Sequence, residues 1–132
     1  MNLKKLDSVF SKFIRLRDSD DNGICRCITC KTPHYWSQMD NGHYIKRQHL
    51  ALRFNEINCN AQCRKCNWLG QGEDALYKDA IIEKYGLQAY NKLLIYKNNY
   101  TKLSQFDVDT LEIYYKEKVK EYLLNKGIKC SH

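Results

Sequence analysis

Between residues 3 and 17, Leu3, Leu6, Val9, Phe10, Phe13, Ile14 and Leu16 recur at three- and four-residue spacing, which predicts an amphipathic helix. Asp18-Ser19-Asp20-Asp21-Asn22-Gly23 ends it as a polar turn, without the later ligand positions and closing glutamate of a calcium loop. From Ile24 to Tyr35 the pattern shortens and becomes strand-like around Cys27 and Cys30, with a turn at Lys31-Thr32-Pro33. His34-Tyr35-Trp36 and Gly42-His43-Tyr44-Ile45 are expected as two short strands joined through residues 37–41, and Lys46 to Phe54 as a loop. Another strand is expected from Glu56 to Ala61, and a helix at or just after Cys63. Helices then follow from Glu73 to Tyr85, from Leu87 to Tyr100, and from Phe106 or Asp107 to Leu124, the first stopping at Gly86 and the last before Gly127. Eight of the ten tyrosines fall in this helical part, where a stripe at helical spacing reads as core and interface.

These elements predict an α+β fold. At 132 residues the expectation is one domain, made of an N-terminal helix and turn (1–24), an irregular core (25–72) and a helical extension (73–132). No apolar run approaches the roughly 20 residues that span a bilayer, and the N-terminus lacks a signal peptide's apolar core, so a cytoplasmic protein with no membrane partner is expected.

Charge and cysteine change the picture. Of the 22 basic residues, 12 lie in residues 1–69 against 6 acids, and all six arginines (15, 17, 26, 47, 53 and 64) are in that half. The arginine fork matches phosphate oxygens, so the asymmetry points to a polyanion there, with a solvated basic surface as the alternative. Seven cysteines, with four in two pairs, argue for metal ligation rather than disulfides. Cys27 and Cys30, then Cys63 and Cys66, each have two residues between the sulfurs and are separated by a 32-residue insert. That spacing lets both pairs reach one tetrahedral zinc, a closed and therefore structural site. Cys25 is expected as a small buried hydrophobe or a neighbour of the ligands, and Cys59 and Cys130 as core or surface thiols. His34, His49 and His132 read by default as structural.

His43 differs, because it follows a glycine at a strand end inside the insert. Phosphodiester hydrolysis needs a base near neutral pH and a cation for the leaving oxygen, which histidine and oxygen-ligated magnesium or manganese supply. The order of a histidine after a strand, Asn58 before Cys63-Arg64-Lys65-Cys66, and Asn67 directly after resembles the HNH, or ββα-metal, endonucleases. More closely, Gly42-His43-Tyr44-Ile45, Leu52-Arg53-Phe54-Asn55-Glu56 and Asn60-Ala61-Gln62-Cys63-Arg64-Lys65-Cys66-Asn67 resemble the NinG, or Rap, recombination family of lambdoid phages. Tyr77 and Tyr85-Gly86 resemble its downstream pattern, and the resemblance covers most of residues 25–86.

The resemblance implies a zinc-bound ββα-metal core and a structure-selective DNA endonuclease. Its substrates would be branched recombination intermediates such as four-way junctions and strand-invasion loops. It implies His43 as general base, Asn58 orienting the His43 ring or its strand, and Asn67 as a ligand of catalytic magnesium or manganese. Where many HNH nucleases carry another metal ligand just before the histidine, this chain has Gly42; Asp40 is the substitute, with His49 as the second candidate. Lys46, Arg47, Arg53, Arg64 and Lys65 are expected to contact phosphates, Arg47 and Arg53 foremost. The implied partners are branched or double-stranded DNA, recombination proteins and a second copy of the chain. A non-catalytic zinc module that binds nucleic acid is the alternative, and a zinc-held protein-interaction module a further one.

Overall fold

The computed structural model describes residues 2–69 and 73–128; Cys130 and His132 lie outside the described residues. Helix α1 (Lys4–Arg17) buries Leu6, Phe10, Phe13, Ile14 and Leu16, as its spacing predicts. Each such side chain contributes about 1.5–3 kcal/mol when withdrawn from water. Its apolar face packs on α6 (Gln105–Asn125), with Phe10 and Phe13 each 4.8 Å from the Tyr115 ring. Helix α6 starts slightly before the expected position because Ser104 and Asp107 form a capping box, each side chain accepting the other's amide. At its far end Lys126 donates to the Leu16 carbonyl at 2.7 Å, placing a cation at the C-terminus of α1.

Strands β1 (Ile24–Arg26) and β2 (Pro33–Tyr35) form an antiparallel hairpin around the first cysteine pair. The two strands expected at 34–36 and 42–45 belong to different sheets. Trp36 and Met39 are both buried, and the chain reaches from one to the other through a 3-10 turn, Trp36–Gln38. Strand β3 (Met39–His43) then begins three residues earlier than expected and pairs antiparallel with β4 (Cys59–Cys63), His43 opposite Cys59 and Met39 opposite Cys63. The expected strand over 56–61 is likewise shifted. Asn55 Oδ1 accepts the amides of Ile57 and Asn58, both at 2.9 Å, and this turn keeps residues 55–58 out of the sheet.

The presumed loop 46–54 holds one short helix, α2 (Leu50–Arg53), too brief to show a period. Helix α3 (Arg64–Leu69) follows β4 directly, so strand, strand and helix are consecutive in space. Helices α4 (Glu73–Tyr85) and α5 (Leu87–Lys97) are joined at Gly86, whose φ of 97° suits glycine. Helix α5 stops before Tyr100, at the Asn98-Asn99 pair, where helix propensity is poor. Tyr77, Ile81, Tyr90 and Leu93 from these two helices cover Ile28, Ile45 and Leu52. Among the described residues no helix is long and apolar enough to cross a membrane.

Candidate metal centre and active site

The ligand atoms of Cys27, Cys30, Cys63 and Cys66 all lie within 4.8 Å of one another. Zinc–sulfur bonds of about 2.3 Å set tetrahedral sulfur–sulfur edges of about 3.8 Å. The Cys30 and Cys63 sulfurs are 3.8 Å apart. In each pair the second cysteine's amide faces the first sulfur at 3.5 Å, so the two knuckles share one backbone design. Burial and the neighbouring sulfurs push the Cys66 thiol up, an unfavourable crowd for four thiols alone and a fitting donor set for zinc. Cys25 is outside the quartet and fully buried, as is Cys59, so both are core residues. The centre joins the β1–β2 turn to the junction of β4 and α3.

The second group centres on His43, at the end of β3. His43 Nε2 lies 2.9 Å from the Arg53 carbonyl oxygen. A carbonyl has no proton to give, so Nε2 is the donor and Nδ1 keeps the lone pair. Burial lowers the His43 pKa from its ordinary value, Arg47 and Arg53 adding to the effect while the bond to the Arg53 carbonyl opposes it. A neutral imidazole with a free Nδ1 is the form a general base needs.

Asn58 does not orient that ring. It is fully buried, accepts the Ile45 amide at 2.8 Å and donates to the Ile45 and Leu52 carbonyls at 3.0 and 3.1 Å. It therefore pins both ends of the loop whose next residue, Arg53, holds His43. Tyr77 adds a second clamp, donating to the Gly42 carbonyl at 2.6 Å beside the histidine.

His43 lines a cavity of about 260 Å³ with Asp7, Ser11, Asn41, Lys46, Arg47 and Asn67. Asn67 Nδ2 donates to Asp40 Oδ2 at 3.1 Å, which leaves Asn67 Oδ1 as its acceptor atom for a cation. Asp40 thus stands beside Asn67, although its own side chain is not among those lining the His43 cavity. His49 lines a different cavity with Tyr44, Asp74 and Lys97, apart from His43.

A family model described as "Bacteriophage Lambda NinG protein" matches residues 2–126. The chain belongs to the NinG family. It is 34% identical to Protein ninG of Salmonella phage P22 and to Protein ninG of Escherichia phage lambda, over 92 residues in each case. Those alignments take in 69% of this chain and 43% of each relative, so the chain spans less than half the length of the relatives it matches. No solved structure matches it.

Within this NinG-family chain, the residue before the histidine is glycine for a steric reason. A Cβ at Gly42 would sit 2.2 Å from Gln62 Oε1 and 2.8 Å from Gln62 Cβ. Gln62 is itself buried and donates to Thr29 Oγ1 at 2.8 Å, so it has little room to yield. Installing the ligand with Gly42→Asp should destabilise the protein by about 1–3 kcal/mol through overpacking. The urea midpoint should fall with an unchanged m-value. Wild-type stability in that variant would show that Gln62 swings aside.

The basic residues divide into groups the sequence does not distinguish. Lys46 and Arg47 line the His43 cavity, while Arg64 and Lys65 line a cavity of about 640 Å³ beside the cysteines, with His34. Arg53 is not free for phosphate. Its side chain is 18% exposed and makes a two-pronged ion pair with Asp7. Arg17 is also internal, bonded to Asp18, the Glu56 and Cys59 carbonyls and Asn60. Sequence reasoning missed Asp7 and Asn41. Strand alternation from His43 marks Asn41, two residues back and on the same face, whereas nothing in the sequence ties Asp7 to a site 36 residues away.

Proposed function

We propose that this NinG-family chain is a metal-dependent DNA endonuclease of the HNH, or ββα-metal, type, acting on branched recombination intermediates in phage DNA recombination. The observation that carries the reading is the shared cavity: a histidine with Nδ1 left unprotonated, an asparagine backed by a carboxylate, and two basic side chains. His43 Nδ1 takes a proton from water as its oxygen attacks phosphorus. The bond from phosphorus to the 3′ oxygen breaks, leaving a 5′-phosphate, and the departing oxygen takes a proton from solvent to become the 3′-hydroxyl. Asn67 and Asp40 would hold magnesium or manganese, whose positive charge would stabilise the leaving oxygen. Lys46 and Arg47 seat the flanking phosphates, contacts that position DNA without reading its sequence. Zinc at the four cysteines fixes β4 and α3, and so Asn67. Two chains joined through exposed Ile95, Tyr96, Phe106 and Ile113 on α5 and α6 would bring two centres to the strands of a junction.

The closed space at Gly42 favours a second reading, a zinc module that binds nucleic acid without cutting it. Labelled linear, forked and four-way-junction DNA, incubated with magnesium, manganese or EDTA, separates the two. The nuclease cuts branched DNA only with metal; salt-sensitive binding without cutting under any metal sinks it. The cutting rate should also depend on pH in a set direction. A general base works deprotonated, and the His43 pKa is lowered. The acid limb of the rate profile should therefore have its midpoint below the ordinary histidine value of about 6.5, with activity full at neutrality. A midpoint above that value would mean a different base.

A further inference from the structure

We propose that Asp7, on the first helix, is a positioning residue for His43, acting through Arg53. The inference rests on the nuclease reading for its consequence in cleavage, and on geometry for its substance. Asp7 Oδ1 accepts Arg53 Nε at 3.0 Å and Oδ2 accepts Arg53 Nη2, a carboxylate meeting the guanidinium fork with both oxygens. Both partners are largely sheltered, with side-chain exposures of 23% and 18%, so the pair is less screened than a surface ion pair. The main-chain carbonyl of the same Arg53 is the acceptor for His43 Nε2. The residue that fixes the imidazole by its backbone is thus held by its side chain from a helix 46 residues away.

Arg53 needs that hold. It is the last residue of a four-residue helix, and the following Phe54 has left helical geometry at φ −117°, ψ 36°. Asn58 secures the Leu52 carbonyl but not that of Arg53, which besides His43 receives only a long contact from the Cys59 thiol at 3.6 Å. Helix α1 grips this turn twice: Phe10 meets Phe54 edge-on at 5.6 Å, and Asp7, three residues earlier on the same helix face, takes the guanidinium. Arg53 also lies over the Phe54 ring at 5.8 Å, so the two grips are joined.

Charge makes the placement telling. Asp7 lines the same cavity as Lys46 and Arg47, and its Oδ2 also meets Arg47 at 3.3 Å. An acid there repels DNA phosphates and competes for an arginine that would bind them. Removing it should therefore leave DNA binding unchanged or tighter while disturbing the histidine, two effects of opposite sign that neither a DNA contact nor a bystander ion pair would give.

The test uses the full zinc-loaded chain with Asp7→Asn, Asp7→Glu and Arg53→Lys, the last keeping charge without the fork. Three quantities are read: binding of a four-way junction in EDTA, single-turnover cutting with magnesium, and the His43 ring tautomer from nitrogen-15 shifts. Asp7→Asn should bind at least as tightly as wild type, cut roughly tenfold or more slowly, as misplaced groups do, and show mixed tautomers. Arg53→Lys should show the same mixing, and Asp7→Glu should recover most of the Nε2-protonated form. Wild-type tautomer and rate in Asp7→Asn overturn the proposal. If Asp7→Asn fails to fold, Arg53→Lys decides by the same tautomer readout. Should the wild type cut no DNA, the nuclease reading fails, and the tautomer comparison alone still supports or overturns the positioning role.

Discussion

Replacing Cys66 with serine, or stripping zinc with a strong chelator, is expected to abolish the cooperative fold. Three of the four cysteines, Cys27, Cys63 and Cys66, are embedded in a core shared by Leu16, Trp36, Met39, Ala61 and Ile128, which come from α1, the turn before β3, β3 itself, β4 and the segment after α6, while Cys30 closes the quartet from the exposed side. The strands that meet there are only three to five residues long. Two-stranded pairs of that length do not persist on their own. Structural zinc provides apparent binding energies of about 10–16 kcal/mol in small domains, against a net stability of about 5–15 kcal/mol for a whole domain. Loss of one ligand therefore removes a contribution as large as the margin itself. Cys66→Ser should carry no tightly bound zinc and lose its near-ultraviolet dichroism and its cooperative thermal transition. Cys25→Ser is the matched control: equally buried, outside the quartet, and expected to keep zinc with a cost of about 1–3 kcal/mol for an unpaired hydroxyl. A Cys66→Ser protein that melts like wild type would mean the packing holds the fold without metal.

The contrast between those two cysteines shows what the sequence can express. The quartet is a local code, two residues between sulfurs repeated twice, and the structure brings those four together and leaves Cys25 out. Helix α1 was legible because it is long enough for its period to repeat, and α4 because Gly86 marks its end. The strands were not. Their limits depend on where Trp36 and Met39 find burial and on the Asn55 turn, both settled by contacts distant along the chain. The arginines mislead for the same reason. Counted together they describe a polyanion-binding half, but Arg17 and Arg53 spend their donors inside the protein, and only the folded chain separates them from Arg47 and Arg64, whose side chains are 63% and 65% exposed. Asn58 was expected to hold either the His43 ring or its strand; its amide bonds the backbone just past that strand, at Ile45, and also Leu52, a choice between side chain and backbone that a buried amide does not express in sequence.

His43→Ala is expected to lower cleavage of branched DNA by about 10²–10⁴-fold, the range a positioned general base contributes, while leaving zinc content and DNA affinity unchanged. The separation follows from the geometry. His43 is half-buried and makes one hydrogen bond, to the Arg53 carbonyl, and that turn is also held by Phe54 and by the Asp7 ion pair. Its removal therefore leaves the loop anchored. The ring is neutral at pH 7, because its pKa is lowered by burial, so it displaces no counterion from DNA, and the salt dependence of binding should keep its slope. Arg47→Ala should do the reverse: weaker binding, a slope smaller by about 1, and a cleavage rate at saturating DNA much closer to wild type. His43→Gln sharpens the comparison, since glutamine can donate to the Arg53 carbonyl but has no basic nitrogen for the water proton. It should bind DNA and fail to cut. Cleavage by His43→Gln at the wild-type rate would remove the histidine from the chemistry, and the cavity around it would then be a seat for nucleic acid whose only reactive-looking member serves the fold.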